Sequence, residues 1–163
     1  MNAREVIRDA INTANMISTS YLGDLTDADL LVRPVPGANH IAWQLGHLIV
    51  SEHGMIEAVR PGSMPALPAD FAEKYTKDTA ALDTPGAFHS KADYLRLLGD
   101  QRAATLRVLG ALTDADLDQP GPEMMREYAP RVSDVFLMQS THWMMHAGQW
   151  AIVRRKLGRK PLF

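Results

Sequence analysis

The chain contains no cysteine. Its absence removes disulfides, thiolate zinc sites and thiol nucleophiles, and is compatible with a reducing cytoplasm. Long apolar runs are missing too. None approaches the roughly 20 residues that span a bilayer, so no membrane partner is expected. Neither sign of charge dominates: 17 Lys and Arg against 19 Asp and Glu give a formal net charge of −2. A nucleic-acid partner would require a basic face, and none is expected. No stretch alternates apolar and polar residues convincingly, so no sheet is foreseen. Met1-Asn2-Ala3-Arg4-Glu5 carries charges of both signs and does not read as a signal peptide. The expectation is a soluble, cytoplasmic protein.

What is present suits a helical domain. A length of 163 residues, 46% of them hydrophobic, fits one domain over 1–163 with a well-buried core. Val6, Ile7, Ala10, Ile11, Ala14, Ile17 and Tyr21 recur at helical spacing and predict a one-faced helix ending near Gly23. After Pro34, Pro36 and Gly37, Asn39 is a good N-cap for a second helix running to about Val59. Its apolar residues surround the axis, as in a helix buried on most sides. Residues 61–89 carry four prolines besides Gly62 and Gly86, and such a long link reads as a crossover or a lid. Within it, Ala69 to Tyr75 suggests a short helix. Ser90 looks like the cap of a third long helix, and a fourth should run from near Ser133 to Leu157. The basic cluster Arg154, Arg155, Lys156, Arg159 and Lys160 fits solvation and the negative end of that helix's dipole. An all-α four-helix bundle with a long crossover between helices 2 and 3 is expected.

One hexapeptide occurs twice. Leu25-Thr-Asp-Ala-Asp-Leu30 returns as Leu112-Thr-Asp-Ala-Asp-Leu117, each copy ahead of a proline and then of a histidine-bearing helix. A common capping sequence used twice and two halves of rough symmetry are both open readings.

The chemistry lies in the histidines. His142 and His146, four residues apart, stand one turn above each other on one helical face, a spacing that lets two imidazoles chelate one divalent metal. His47, in another apolar stretch, can supply a third nitrogen. Three protein ligands leave room for water or substrate, as in a catalytic rather than a structural site. A lone buried histidine usually just hydrogen-bonds in the core, but three of them would bury many polar nitrogens without a common purpose. Gln139 and Gln149 share the face of the histidine pair, and Ser51 lies one turn after His47; these are expected to hydrogen-bond the ligand histidines or to contact substrate. His40 is seven residues before His47 and about 10 Å away along the axis, which makes it a helix-start or pocket-rim group. His53 and His89 are expected at the surface. Trp143 stands where a His-Glu-x-x-His peptidase carries its glutamate, and no di-iron Glu-x-x-His set is present. The methionines read as core filler.

The segment Asn39-His-Ile-Ala-Trp-Gln-Leu-Gly-His47-Leu, followed by His142-x-x-x-His146-x-Gly-Gln149, resembles the DinB-like (YfiT-like) metalloenzyme family. The resemblance covers nearly the whole chain. It implies a four-helix bundle holding a divalent metal, nickel or zinc, on three histidines, which correspond to His47, His142 and His146. Spacing alone leaves zinc, nickel, copper and iron open. Relatives of this kind include thiol-dependent S-transferases and a maleylpyruvate isomerase, so the resemblance implies a small-molecule substrate, with a low-molecular-weight thiol first in line. A metal-dependent hydrolase and a non-catalytic metal-binding bundle remain as alternatives. No catalytic acid or base is identified, and large apolar helices suggest a homodimer.

Overall fold

Four long helices carry the architecture of the computed structural model, which describes residues 1–162. They are α1 (Ala3–Leu22), α2 (Ile41–Val59), α3 (Lys91–Ala111) and, after the single-turn α4 (Asp114–Leu117), α5 (Val132–Lys156). No strand occurs among the described residues. α1 packs along α5 and against α3, whereas α2 packs on both α3 and α5. Among the described residues no helix is long and apolar enough to cross a membrane.

Local sequence explains each element. α1 starts with a reciprocal cap, Glu5 N–H donating to Asn2 Oδ1 and Asn2 N–H to Glu5 Oε2. Ile7, Ile11, Ala14, Ser18 and Leu22 then bury one stripe at helical spacing. α2 is buried almost all round, from Ile41 through Gly46 without a break and again at Leu48, Ile49, Glu52 and Ile56. Its N-cap is His40, not Asn39. The His40 ring accepts from Trp43 N–H through Nδ1 at 3.1 Å, doing what an Asn side chain was expected to do one residue earlier. α5 begins at Val132, with Asp134 accepting from Arg131 N–H at 3.0 Å.

The long α2–α3 link is strapped to α2. Its ordered turns are 3-10 segments, Ala72–Tyr75 and Lys77–Thr79, in place of the expected helix over 69–75. Phe71 and Tyr75 are buried, and the Tyr75 ring lies so close over Gly46 that a Cβ there would fall 2.2 Å from it. That contact needs a glycine. The two copies of the hexapeptide fold alike at their starts: Thr26 and Asp29 cap each other, as do Thr113 and Asp116. The first opens a 3-10 turn and the second opens α4.

Two departures from expectation are electrostatic. Arg154 in the basic α5 terminus is not solvated; it is 3% exposed and binds the Asp24 carboxylate and Tyr21 O. Arg159 pairs with Asp29 at 3.2 Å. Both cations reach the turn after α1 because α1 lies along α5. The second departure is a polar belt that divides the core. Trp43, Leu48, Trp143 and Trp150 belong to one apolar cluster, and Ile11, Ile56, Val108 and Phe136 to another. Between Ile49 and Ile56 on α2 sits Glu52, 1% exposed, paired with the buried Arg102 of α3 at 3.1 Å.

Candidate metal centre

α2 and α5 bring three imidazoles together. One ring nitrogen each from His47, His142 and His146 lies within 4.8 Å of the others, and His142 Nε2 stands 3.3 Å from His146 Nε2. The ring centroids are 5.0 to 5.7 Å apart. Two nitrogens coordinated tetrahedrally to one cation at about 2.05 Å are themselves about 3.3 Å apart. The helical i, i+4 spacing of α5 therefore delivers a chelate bite, and α2 supplies the third donor. Among the described residues no carboxylate joins this group.

The state of His146 follows from its neighbours. Trp150 Nε1–H, which can only donate, reaches Gln44 Oε1 at 2.8 Å. That contact fixes the Gln44 amide: its oxygen faces α5, and its nitrogen donates to Asn39 O and, at 3.1 Å, to Gln149 Oε1. His146 Nδ1, 2.9 Å from the same Gln44 Oε1, must carry the proton and donate it. The Nε2 lone pair then faces His142. A ligand histidine is commonly oriented in this way by a hydrogen bond from its far nitrogen. The His47 ring makes no hydrogen bond among the described residues. It is held instead by parallel stacking on Trp43, with centroids 5.0 Å apart and planes 8° apart. Trp43 is anchored in turn by Nε1–H donation to Thr76 O and Thr79 Oγ1 of the strap.

Burial keeps these rings neutral. His142 and His146 are pushed down to about 4, first by desolvation and then by the neighbouring histidines. Desolvation also lowers His47. Neutral imidazole is the form that binds a metal, so at pH 7 the donors need no deprotonation.

Other residues singled out in the sequence divide between the cluster and the scaffold. Gln149 joins the cluster's outer layer through Gln44. Gln139 does not: its amide donates back to Val135 O at 2.9 Å and to Met55 Sδ. Both amide hydrogens are thereby spent on the preceding turn of α5 and on α2, not on His142. Ser51 is half-buried and makes no hydrogen bond to the cluster. His40 is fully buried, its ring spent on the α2 cap and on Leu82 O at 2.9 Å. His53 and His89, expected at the surface, are half-buried and bonded to Gln101 and Tyr75. The outer-layer residues overlooked were Gln44 and Trp43. Their one signal was an amide standing alone in the apolar run Ile41–Leu45 and an aromatic four residues before His47.

The fold agrees with what comparison finds. The crystal structure of a conserved protein from Enterococcus faecalis matches with a TM-score of 0.73 and 16% identity, covering 98% of this chain and 99% of that one. At that identity the likeness speaks for the fold alone. No functionally curated protein matches. A family model described as the DinB superfamily matches residues 10–150. With most of its length matched, the chain belongs to the DinB superfamily.

Proposed function

We propose that the protein is a divalent-metal-dependent enzyme acting on a small molecule, with His47, His142 and His146 as the metal ligands. The observation that carries this reading is the 3.3 Å separation of two Nε2 atoms, one of them aimed by Gln44, with His47 in reach. Three neutral nitrogen donors suit zinc or nickel. Such a cation, when bound, supplies Lewis acidity toward a thiol or a water. Beside His142 a hollow of about 260 Å³ is lined by Met138, Thr141 and Met145, which favours a substrate with an apolar part.

Thiol S-transfer is the reading placed first. The chain has no cysteine, so any sulfur nucleophile arrives with the substrate. Hydrolysis is less well supported, because the nearest acidic residue along α2, Glu52, is sealed in the core by Arg102 and Thr105 and is no free base for water. Metal-loaded protein with glutathione and other low-molecular-weight thiols should conjugate monochlorobimane, and His142→Ala should abolish the rate. Turnover no faster than that variant would overturn the transferase reading. Elemental analysis of protein purified without a histidine tag tests the metal separately. Leu137, Met145 and Ile152 are exposed along one face of α5 and support a homodimer, which sedimentation equilibrium checks.

A further inference from the structure

A second site candidate lies beside Ala42 of α2. The three histidines take the face of α2 that carries positions 43 and 47. On the adjoining face, at Ala42, a cavity of about 540 Å³ opens between α2, the first hexapeptide turn and residues 83–90. Small-molecule sites have volumes of this order, with apolar walls and a few convergent polar groups. Leu31, Ala42, Pro85 and Phe88 form the apolar walls, and none of the three clustered histidines lines it. Its polar lining includes His89, Asp27 and Asp83.

The protonation of His89 follows from a buried relay. Tyr94 Oη accepts from His89 backbone N–H at 3.2 Å and lies 2.7 Å from Tyr75 Oη. Tyr94 is fully buried, so its own hydroxyl hydrogen has to go to Tyr75. Tyr75 is buried as well, and its hydrogen has to go to His89 Nδ1, 2.6 Å away. Burial raises both phenols, Tyr75 to about 12, so both hydrogens stay in place. Desolvation, then Lys74, holds His89 below its ordinary value. The ring is therefore neutral with its hydrogen on Nε2, a donor that none of the described residues takes up. The carboxylates differ in what they have left to offer. Asp83 is held by Arg33 at 2.8 Å. Asp27 accepts one backbone hydrogen bond, from Lys91 N at 2.7 Å, and forms no ion pair among the described residues.

We propose that this cavity binds a small aromatic amine bearing an oxygen acceptor: the ring against Phe88 and Leu31, the ammonium at Asp27, and the oxygen at His89 Nε2–H. The Asp27 carboxylate, which has no cation paired to it among the described residues, selects against an anion of the same shape. The site is independent of the histidine cluster and of any metal held there.

Tyramine, phenethylamine and 3-(4-hydroxyphenyl)propionate are the probes, titrated by NMR in the presence of EDTA so that no metal contributes. Tyramine should bind and shift the amides of Phe88 and His89. Phenethylamine, lacking the oxygen, should bind about tenfold more weakly, as expected for one lost hydrogen bond. The propionate should not bind. Asp27→Asn keeps the acceptor for Lys91 N–H and should weaken tyramine about tenfold. Ala42→Phe, checked for folding by circular dichroism, should fill the cavity and abolish the shifts. The proposal fails if tyramine leaves Phe88 and His89 unmoved at millimolar concentration. It fails equally if the propionate binds as tightly as tyramine, or if Asp27→Asn binds tyramine unchanged.

Discussion

Gln44→Ala is the substitution that tests the site most sharply, because Gln44 touches no metal position and yet should set metal affinity. Its Oε1 takes hydrogen bonds from His146 Nδ1 and Trp150 Nε1, and its Nε2 gives them to Asn39 O and Gln149. Removing the amide frees the His146 ring to flip or change tautomer, so the Nε2 lone pair no longer waits opposite His142. Losing an outer partner of this kind typically costs 10- to 100-fold in metal affinity, about 1.4 to 2.8 kcal/mol. A separate cost falls on stability. The buried Trp150 N–H loses its acceptor, worth about 1 to 3 kcal/mol. The two effects can be separated: affinity for Zn²⁺ or Ni²⁺ is measured by competition with a chromophoric chelator, and stability by urea unfolding of the metal-free protein. Gln44→Glu supplies the control. It keeps an acceptor for both donors while losing the amide donors, so its metal affinity should stay within a few fold of native. The reasoning is refuted if folded Gln44→Ala binds metal as tightly as native protein, or if Gln44→Glu falls as far as Gln44→Ala.

Other perturbations follow from the same contacts. Gly46→Ala puts a methyl 2.2 Å from the Tyr75 ring, so the strap must shift; overpacking of this kind costs about 1 to 3 kcal/mol, read as a lower urea midpoint. Arg102→Met leaves the Glu52 carboxyl, already raised by burial, without its counter-charge and should cost about 3 to 5 kcal/mol, while Glu52→Leu with Arg102→Met should cost much less than the sum of the single changes. Metal-free protein should gain stability as pH rises from 4 to 6.5. His142 and His146 titrate near 4 in the folded chain against 6.5 unfolded, so the unfolded state binds more protons throughout that window. For one ring the difference is on the order of 3 kcal/mol; it is fully present above pH 6.5 and lost as pH falls through 4. Urea midpoints at pH 4.5 and 7.0, with His142→Phe showing the smaller change, check it.

What the sequence could disclose was whatever depends on local spacing. His142 and His146 announce themselves because helical geometry fixes their relation within one turn, and the apolar surroundings of His47 mark it as inward-facing. The four long helices were legible for the same reason, to within a residue or two at their ends. Gln44 was not, because its meaning lies in partners 102 and 106 residues away. Nor was the Glu52–Arg102 pair: each residue stands in a helix whose surroundings alone say nothing about what faces it. Gln139 shows the opposite failure. Wheel position placed it beside His142, but an amide that reaches the carbonyl four residues back satisfies itself on its own helix.

The polar residues of α2 explain how an almost wholly apolar helix keeps one orientation. Hydrophobic burial is non-directional, and a rod lined with Ile, Leu, Ala and Trp on most sides could settle at several rotations of similar energy. Gln44 and Glu52 remove that freedom. Gln44 needs the Trp150 and His146 donors of α5, and Glu52 needs Arg102 and Thr105 of α3. A slip of one residue turns the helix by about 100° and strands both side chains among apolar neighbours, where an unpaired buried charge alone costs several kcal/mol. Only the observed rotation satisfies both, and that rotation aims His47 at the pair on α5. If the buried ion pair sets this orientation as well as stabilising the fold, Arg102→Met protein that still folds should bind metal more weakly, although no atom of Arg102 is among the candidate ligands.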